Sequence, residues 1–143
     1  MSMRYLIVIA ATAIMGLTAC AHKNSVLPTT ANPSLTVNEP AAGNWTVTMY
    51  TDRGVDETPD FSGYTFTFGS GGVFTATRGS LAITGTWSRT TDDGLQELVL
   101  SISSATDGHL AELNEKWVIS LMNDNNINLA DDSGHHELRF QKQ

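Results

Sequence analysis

From Gly43 onward the chain alternates apolar and polar positions, and turn residues interrupt the alternation roughly every eight to twelve positions. A period of two places successive side chains on opposite faces of a strand. Trp45, Val47 and Met49 share one parity while Thr46, Thr48 and Tyr50 share the other, which predicts a half-buried strand. Tyr64, Phe66 and Phe68 repeat the rule, and Gly69-Ser70-Gly71-Gly72 turns the chain into a strand from Val73 to Arg78. Leu81, Ile83, Gly85 and Trp87 follow on one parity, then a turn through Thr91-Asp92-Asp93-Gly94. The remaining stripes are Leu98, Leu100 and Ile102; Trp117, Ile119 and Leu121; Ile127 and Leu129; and His136, Leu138 and Phe140. Between the fifth and sixth strands, Leu110 and Leu113 at i, i+3 predict a short helix or 3₁₀ turn within Asp107–Glu115. The other connections are too short for parallel crossovers. The fold class is therefore all-β: an antiparallel up-and-down eight-stranded barrel with one short helix, closed so that no strand edge is left open.

The N-terminal residues follow a different rule. Arg4 precedes an apolar run from Leu6 to Leu17, shorter than the ~20 residues that span a bilayer, so Met1 to Ala19 (1–19) is read as a signal peptide. It ends in Leu17-Thr18-Ala19-Cys20, which resembles the bacterial lipobox. The resemblance implies a lipoprotein acylated at Cys20, the only cysteine. With Ala21 rather than Asp after it, the resemblance further implies the outer membrane of a bacterial envelope, reached through lipid and not through a spanning segment. Residues 20–42 carry little apolar content and no period, which marks a lipidated tether; fully extended it spans about 70 Å. The folded domain is thus 43–143.

Gly43-Asn44-Trp45 at the start of the first strand resembles the G-x-W of lipocalins, and Gly85-Thr86-Trp87 and Leu113-Asn114-Glu115-Lys116-Trp117 resemble the small lipocalin-like (calycin-type) domains of bacterial lipoproteins. The resemblance implies an eight-stranded barrel and a small apolar or amphipathic ligand at its open end, with Trp45, Tyr64, Trp87 and Trp117 as ligand-binding candidates. Several lipocalin features are missing. The domain is short, Asn123-Asp124-Asn125-Asn126 stands where a T-D-Y motif belongs, and alternation points Arg139 outward rather than across Trp45. Barrels of eight strands are either filled by side chains or hold one small ligand. The inward stripe is bulky enough nearly to fill this one, and Gly85, inward beside Trp87, is where it leaves room. A filled core supports another role, a non-enzymatic interaction module for an envelope protein partner or a protease.

Composition narrows the rest. With 8 Lys+Arg against 15 Asp+Glu the net charge is −7, so a basic face for nucleic acid or anionic lipid is not available. One cysteine rules out an intrachain disulfide framework and a zinc–cysteine cluster. Asp131-Asp132-Ser133-Gly134-His135-His136-Glu137 holds metal-ligand residue types, but adjacent histidines on a strand point to opposite faces, so a polar hairpin is the expected reading and no metal site or cofactor is assigned. No serine lies in a G-x-S-x-G elbow, and the i, i+3 spacing of Glu112 and Glu115 marks a solvated helix face. These absences point away from an enzyme.

Overall fold

Alternating β-branched and aromatic residues favour extended backbone because each face packs separately, and every predicted strand is present. The computed structural model describes residues 39–102 and 107–143; the segment read as a signal peptide, Cys20 and the stretch read as a tether up to residue 38 lie outside the described residues. The strands are β1 (Trp45–Asp52), a two-residue β2 (Val55–Asp56), β3 (Thr65–Gly69), β4 (Val73–Arg78), β5 (Leu81–Asp92), β6 (Leu95–Ile102), β7 (Lys116–Met122), β8 (Asn126–Asp131) and β9 (His136–Lys142). A 3₁₀ turn (Thr58–Phe61) follows β2, and a one-turn helix α1 (Gly108–Ala111) precedes β7. All pairings are antiparallel between neighbours, and β1 pairs back onto β9 from Trp45↔Lys142 to Asp52↔His136. The result is a closed eight-stranded barrel of β1 and β3 to β9, with β2 hairpinned outside it.

Closure is uneven. β5 and β6 pair over eight positions, from Gly85↔Ile102 to Asp92↔Leu95, whereas β1 meets β3 only at Trp45↔Phe66 and β6 meets β7 only at residues 97–99. The barrel therefore consists of two well-laddered halves, β3 to β6 and β7 to β1, joined at two short seams. Side chains take over where ladders stop. The Asn114 amide pairs with both backbone groups of Ile102, accepting from its N–H and donating to its carbonyl at 3.3 Å.

The lumen is filled by aromatic rings. Tyr64 packs on Phe66 at 5.9 Å, Phe66 on Phe74 and Phe140 at 5.7 and 5.4 Å, and Phe68 on Phe74, Phe140, Trp45 and Trp87 at 5.2 to 6.2 Å. Leu98, Leu129 and Leu138 close the packing. Side chains thus occupy the lumen of the described barrel.

Strict alternation misplaces several residues. A register shift between Val47 and Met49 moves the inward side of β1 onto Tyr50, which is buried, and leaves Met49 half-buried. A second shift between Ile119 and Leu121 buries Met122 in place of Leu121. Each extra residue reverses the parity of the rest of its strand. Leu81, at a strand start, is exposed, and Phe74 and Ala76 are core residues that the stripe on β4 did not single out. Gly85 leaves no room either. A Cβ there would stand 2.8 Å from Ile102 Cα and closer still to the Ser101 carbonyl, so the space that parity assigns to a side chain is occupied by the backbone of β6.

Candidate functional site

The aromatic candidates divide between the two ends of the barrel. Trp45 and Trp87 stand toward the end where β1 begins and β3 turns into β4; Tyr64 and Trp117 stand toward the end covered by α1. All four are buried, and each polar atom already has a partner in the chain. The Trp45 indole N–H donates to the Ala41 carbonyl at 3.0 Å, that of Trp87 to Gly69 at 2.9 Å, and that of Trp117 to Leu113 at 3.1 Å. The Tyr64 hydroxyl donates to Asp107 Oδ2 at 2.7 Å, and the Arg78 guanidinium lies 4.3 Å above its ring while donating to the same oxygen.

That closed end is held by local capping. Asp107 is the N-cap of α1, accepting from the His109 N–H at 3.2 Å, and Leu110 and Leu113 plug the barrel beneath it. The hydrogen bond from Tyr64 holds the Asp107 carboxyl below the usual range against the opposing effect of burial, with further help from the His109 N–H and Arg78. Burial, then the bond to Asp107, holds the Tyr64 hydroxyl above the ordinary phenol range. Tyr64 and Trp117 thus act as a latch between barrel and helix.

The opposite end is open. A cleft of about 630 Å³ lies there, lined by Glu39, Pro40 and Ala42 from the segment before β1, by Phe68 and Ser70 at the end of β3, and by Trp87 and Arg89 on β5. Phe68 and Trp87, 6.2 Å apart and edge-on, form its apolar floor. Arg89 shares the inward parity of Trp87 but stands beyond the core, where Gln96 orients it through a 2.7 Å bond and is itself anchored on Thr91 at 2.8 Å. Of the four aromatic candidates only Trp87 lines this cleft. Arg89 and Ser70 were missed, although the parity of Arg89 two residues after an inward Trp87 is a readable signal; Glu39, Pro40 and Ala42 fell in the stretch read as tether.

The Asp131–Glu137 segment is a hairpin. Asp131 Oδ1 accepts from the His136 N–H at 2.9 Å, Ser133 donates to Oδ2, and the Ser133 hydroxyl also lies 2.9 Å from His135 Nδ1. Burial opposes the charge of Asp131, but the bonds from Ser133 and the His136 and His135 backbone outweigh it, aided by the His136 ring, and its carboxyl titrates below the usual range. Among the described residues no group of three or more His, Cys, Asp or Glu side chains is arranged to hold a metal ion. Arg139 lies on the outer face, 3.3 Å from Glu137, and Trp45 is satisfied from the N-terminal segment instead.

No protein-family model and no curated protein sequence matches the chain. Among solved structures it is similar to a DUF4847 family protein from Bacteroides vulgatus ATCC 8482, with a TM-score of 0.53 and 18% identity over 72% of this chain and 95% of that one. At that identity the likeness is one of fold.

Proposed function

We propose that this protein is an envelope lipoprotein, anchored by acyl chains on Cys20, whose lipocalin-like barrel binds a small amphipathic molecule at its mouth. The observation that carries the ligand reading is the cleft of about 630 Å³ over Phe68 and Trp87, with Arg89 and Ser70 beside it. A volume of a few hundred Å³ with an apolar floor and a few convergent polar groups is the usual form of a small-molecule site. The filled lumen confines the ligand to the rim: its apolar part lies on Phe68 and Trp87, and its polar head meets Arg89 and Ser70. The lipobox resemblance and the tether support the anchored location.

Titration of tryptophan fluorescence with palmitate and with a hydrophobic dye tests the binding reading, because Trp87 lies in the cleft floor. A saturable change at micromolar ligand is expected, weakened about tenfold for palmitate in Arg89→Ala by loss of a charge-assisted contact. Absence of a saturable change overturns ligand binding in favour of an interaction module with a filled core. Anchoring has a separate readout. Cys20→Ala is expected to move the protein from the membrane to the soluble fraction, and a variant still found in the membrane contradicts the anchor.

A further inference from the structure

The segment that precedes β1 is built into the mouth of the barrel. Asn44 is tied to the C-terminus through its carbonyl, which accepts the Gln143 N–H at 2.9 Å. Upstream of it the chain turns at Gly43, whose φ of +141° is one that residues with side chains rarely adopt. Ala41 packs against the core, and its carbonyl accepts the Trp45 indole N–H at 3.0 Å. Pro40, with its fixed φ, is buried. These fixings place Glu39 on the wall of the cleft, beside Pro40 and Ala42. Glu39 is exposed there, and its carboxylate makes no hydrogen bond or ion pair among the described residues.

The cleft therefore carries both signs of charge around one apolar floor. Arg89 stands on β5 two residues beyond Trp87, oriented by Gln96 at 2.7 Å, while Glu39 belongs to the wall that the N-terminal segment supplies. An anionic head that meets Arg89 also comes beside the Glu39 carboxylate, on a chain whose net charge is already −7. A cationic head that meets Glu39 comes beside the Arg89 guanidinium instead. Like-charge contact of this kind is how a site rejects the wrong partner. A head group with one charge of each sign has a partner for both and a conflict with neither.

We propose that the mouth selects an amphipathic ligand whose head is zwitterionic. Its anionic group meets Arg89 and Ser70, its cationic group meets Glu39, and its apolar part lies on Phe68 and Trp87. Glu39 is then the residue that decides the class of head group, and the fixed course of the chain from Pro40 to Gly43 is what holds it there. The inference rests on the cleft being a ligand site and adds the charge of the ligand to that reading. Both charges lie at an open rim, so each contributes modestly and in a salt-dependent way.

The test follows tryptophan fluorescence of the full chain carrying Cys20→Ala, at low salt and without detergent. The probes are laurate, dodecyltrimethylammonium and dodecylphosphocholine, which share one chain length, each kept below its micellar concentration. Dodecylphosphocholine is expected to bind about fivefold tighter than either of the others. Glu39→Gln is expected to weaken dodecylphosphocholine about threefold and to tighten laurate about threefold, whereas Arg89→Ala weakens laurate and tightens dodecyltrimethylammonium. Opposite signs for two ligands in one variant separate charge selection from a change in fold, and Glu39→Gln, at an exposed position, should melt with the native chain. The proposal is overturned, with the cleft reading intact, if laurate or dodecyltrimethylammonium binds as tightly as dodecylphosphocholine. It is overturned equally if Glu39→Gln moves dodecylphosphocholine and laurate in the same direction or leaves both unchanged. Absence of a saturable response to all three overturns it together with the cleft reading.

Discussion

At Gly85 a single methyl group decides whether β5 and β6 can meet. An added Cβ collides with the backbone of Ser101 and Ile102, which no rotamer change relieves, so Gly85→Ala is expected to lose about 2 kcal/mol or more in urea unfolding. A residue that parity offered as a gap is a close approach, because parity reports which face a position occupies and not what stands opposite. Asp131 and Glu112 show two signs of pH dependence on one barrel. The carboxyl of Asp131 titrates lower in the folded chain than in the unfolded one, so its stabilisation is complete above the usual carboxylate range and fades as pH falls through the depressed value. Asp131→Ala is expected to cost about 2 kcal/mol at neutral pH, with the difference shrinking below pH ~4 in thermal melts across pH. Glu112 titrates higher in the folded chain, so its charge opposes folding at neutral pH. Glu112→Gln should accordingly raise the melting temperature at pH 7 and give no gain once the native carboxyl is protonated.

At the scale of elements, the strands were legible because Trp45, Phe66, Leu98, Leu129 and Phe140 sit on stripes that only a period of two explains, and all of them are buried. Helix α1 was legible from Leu110 and Leu113. The bulges were not, since an inserted residue leaves no mark in a string of alternating letters, and Tyr50 was placed on the wrong face for that reason. The 3₁₀ turn does carry a signal in Thr58-Pro59, a proline at a helix start, but no apolar period accompanies it. Half of the candidate site obeys the same logic. Trp87 and Arg89 share a parity that leads into the cleft, while its wall from Glu39 to Ala42 has no periodicity to betray that it folds back. The Asn114 amide is another element that letters alone conceal, because it replaces a strand partner for β6 using a side chain. Asn114→Ala should lose about 2 kcal/mol, and Asn114→Asp should also lose stability, since a carboxylate cannot donate to the Ile102 carbonyl; chemical unfolding of the two variants measures both effects.

For the whole molecule, the filled lumen and the two short seams set how the barrel moves and what it can hold. Amides of β1 that point toward β3 near residues 47–49 are expected to exchange with solvent faster than those of the Trp87 and Leu100 pair, as read by hydrogen exchange. The two ends of the barrel also differ in chemistry: one is open, with an aromatic floor and Arg89, and the other is plugged by leucines and crowded with carboxylates. The chain closes on itself besides, since the N–H of Gln143 donates to the carbonyl of Asn44 at 2.9 Å. A circular permutant that joins Gln143 to Asn44 and opens the chain between Asp93 and Gly94 keeps every strand pairing, because the cut falls in a tight two-residue turn with both residues at positive φ. Such a rearranged chain would retain the barrel yet lack Glu39, Pro40 and Ala42, so that architecture and cleft, which the natural order of the sequence keeps together, could be inherited apart.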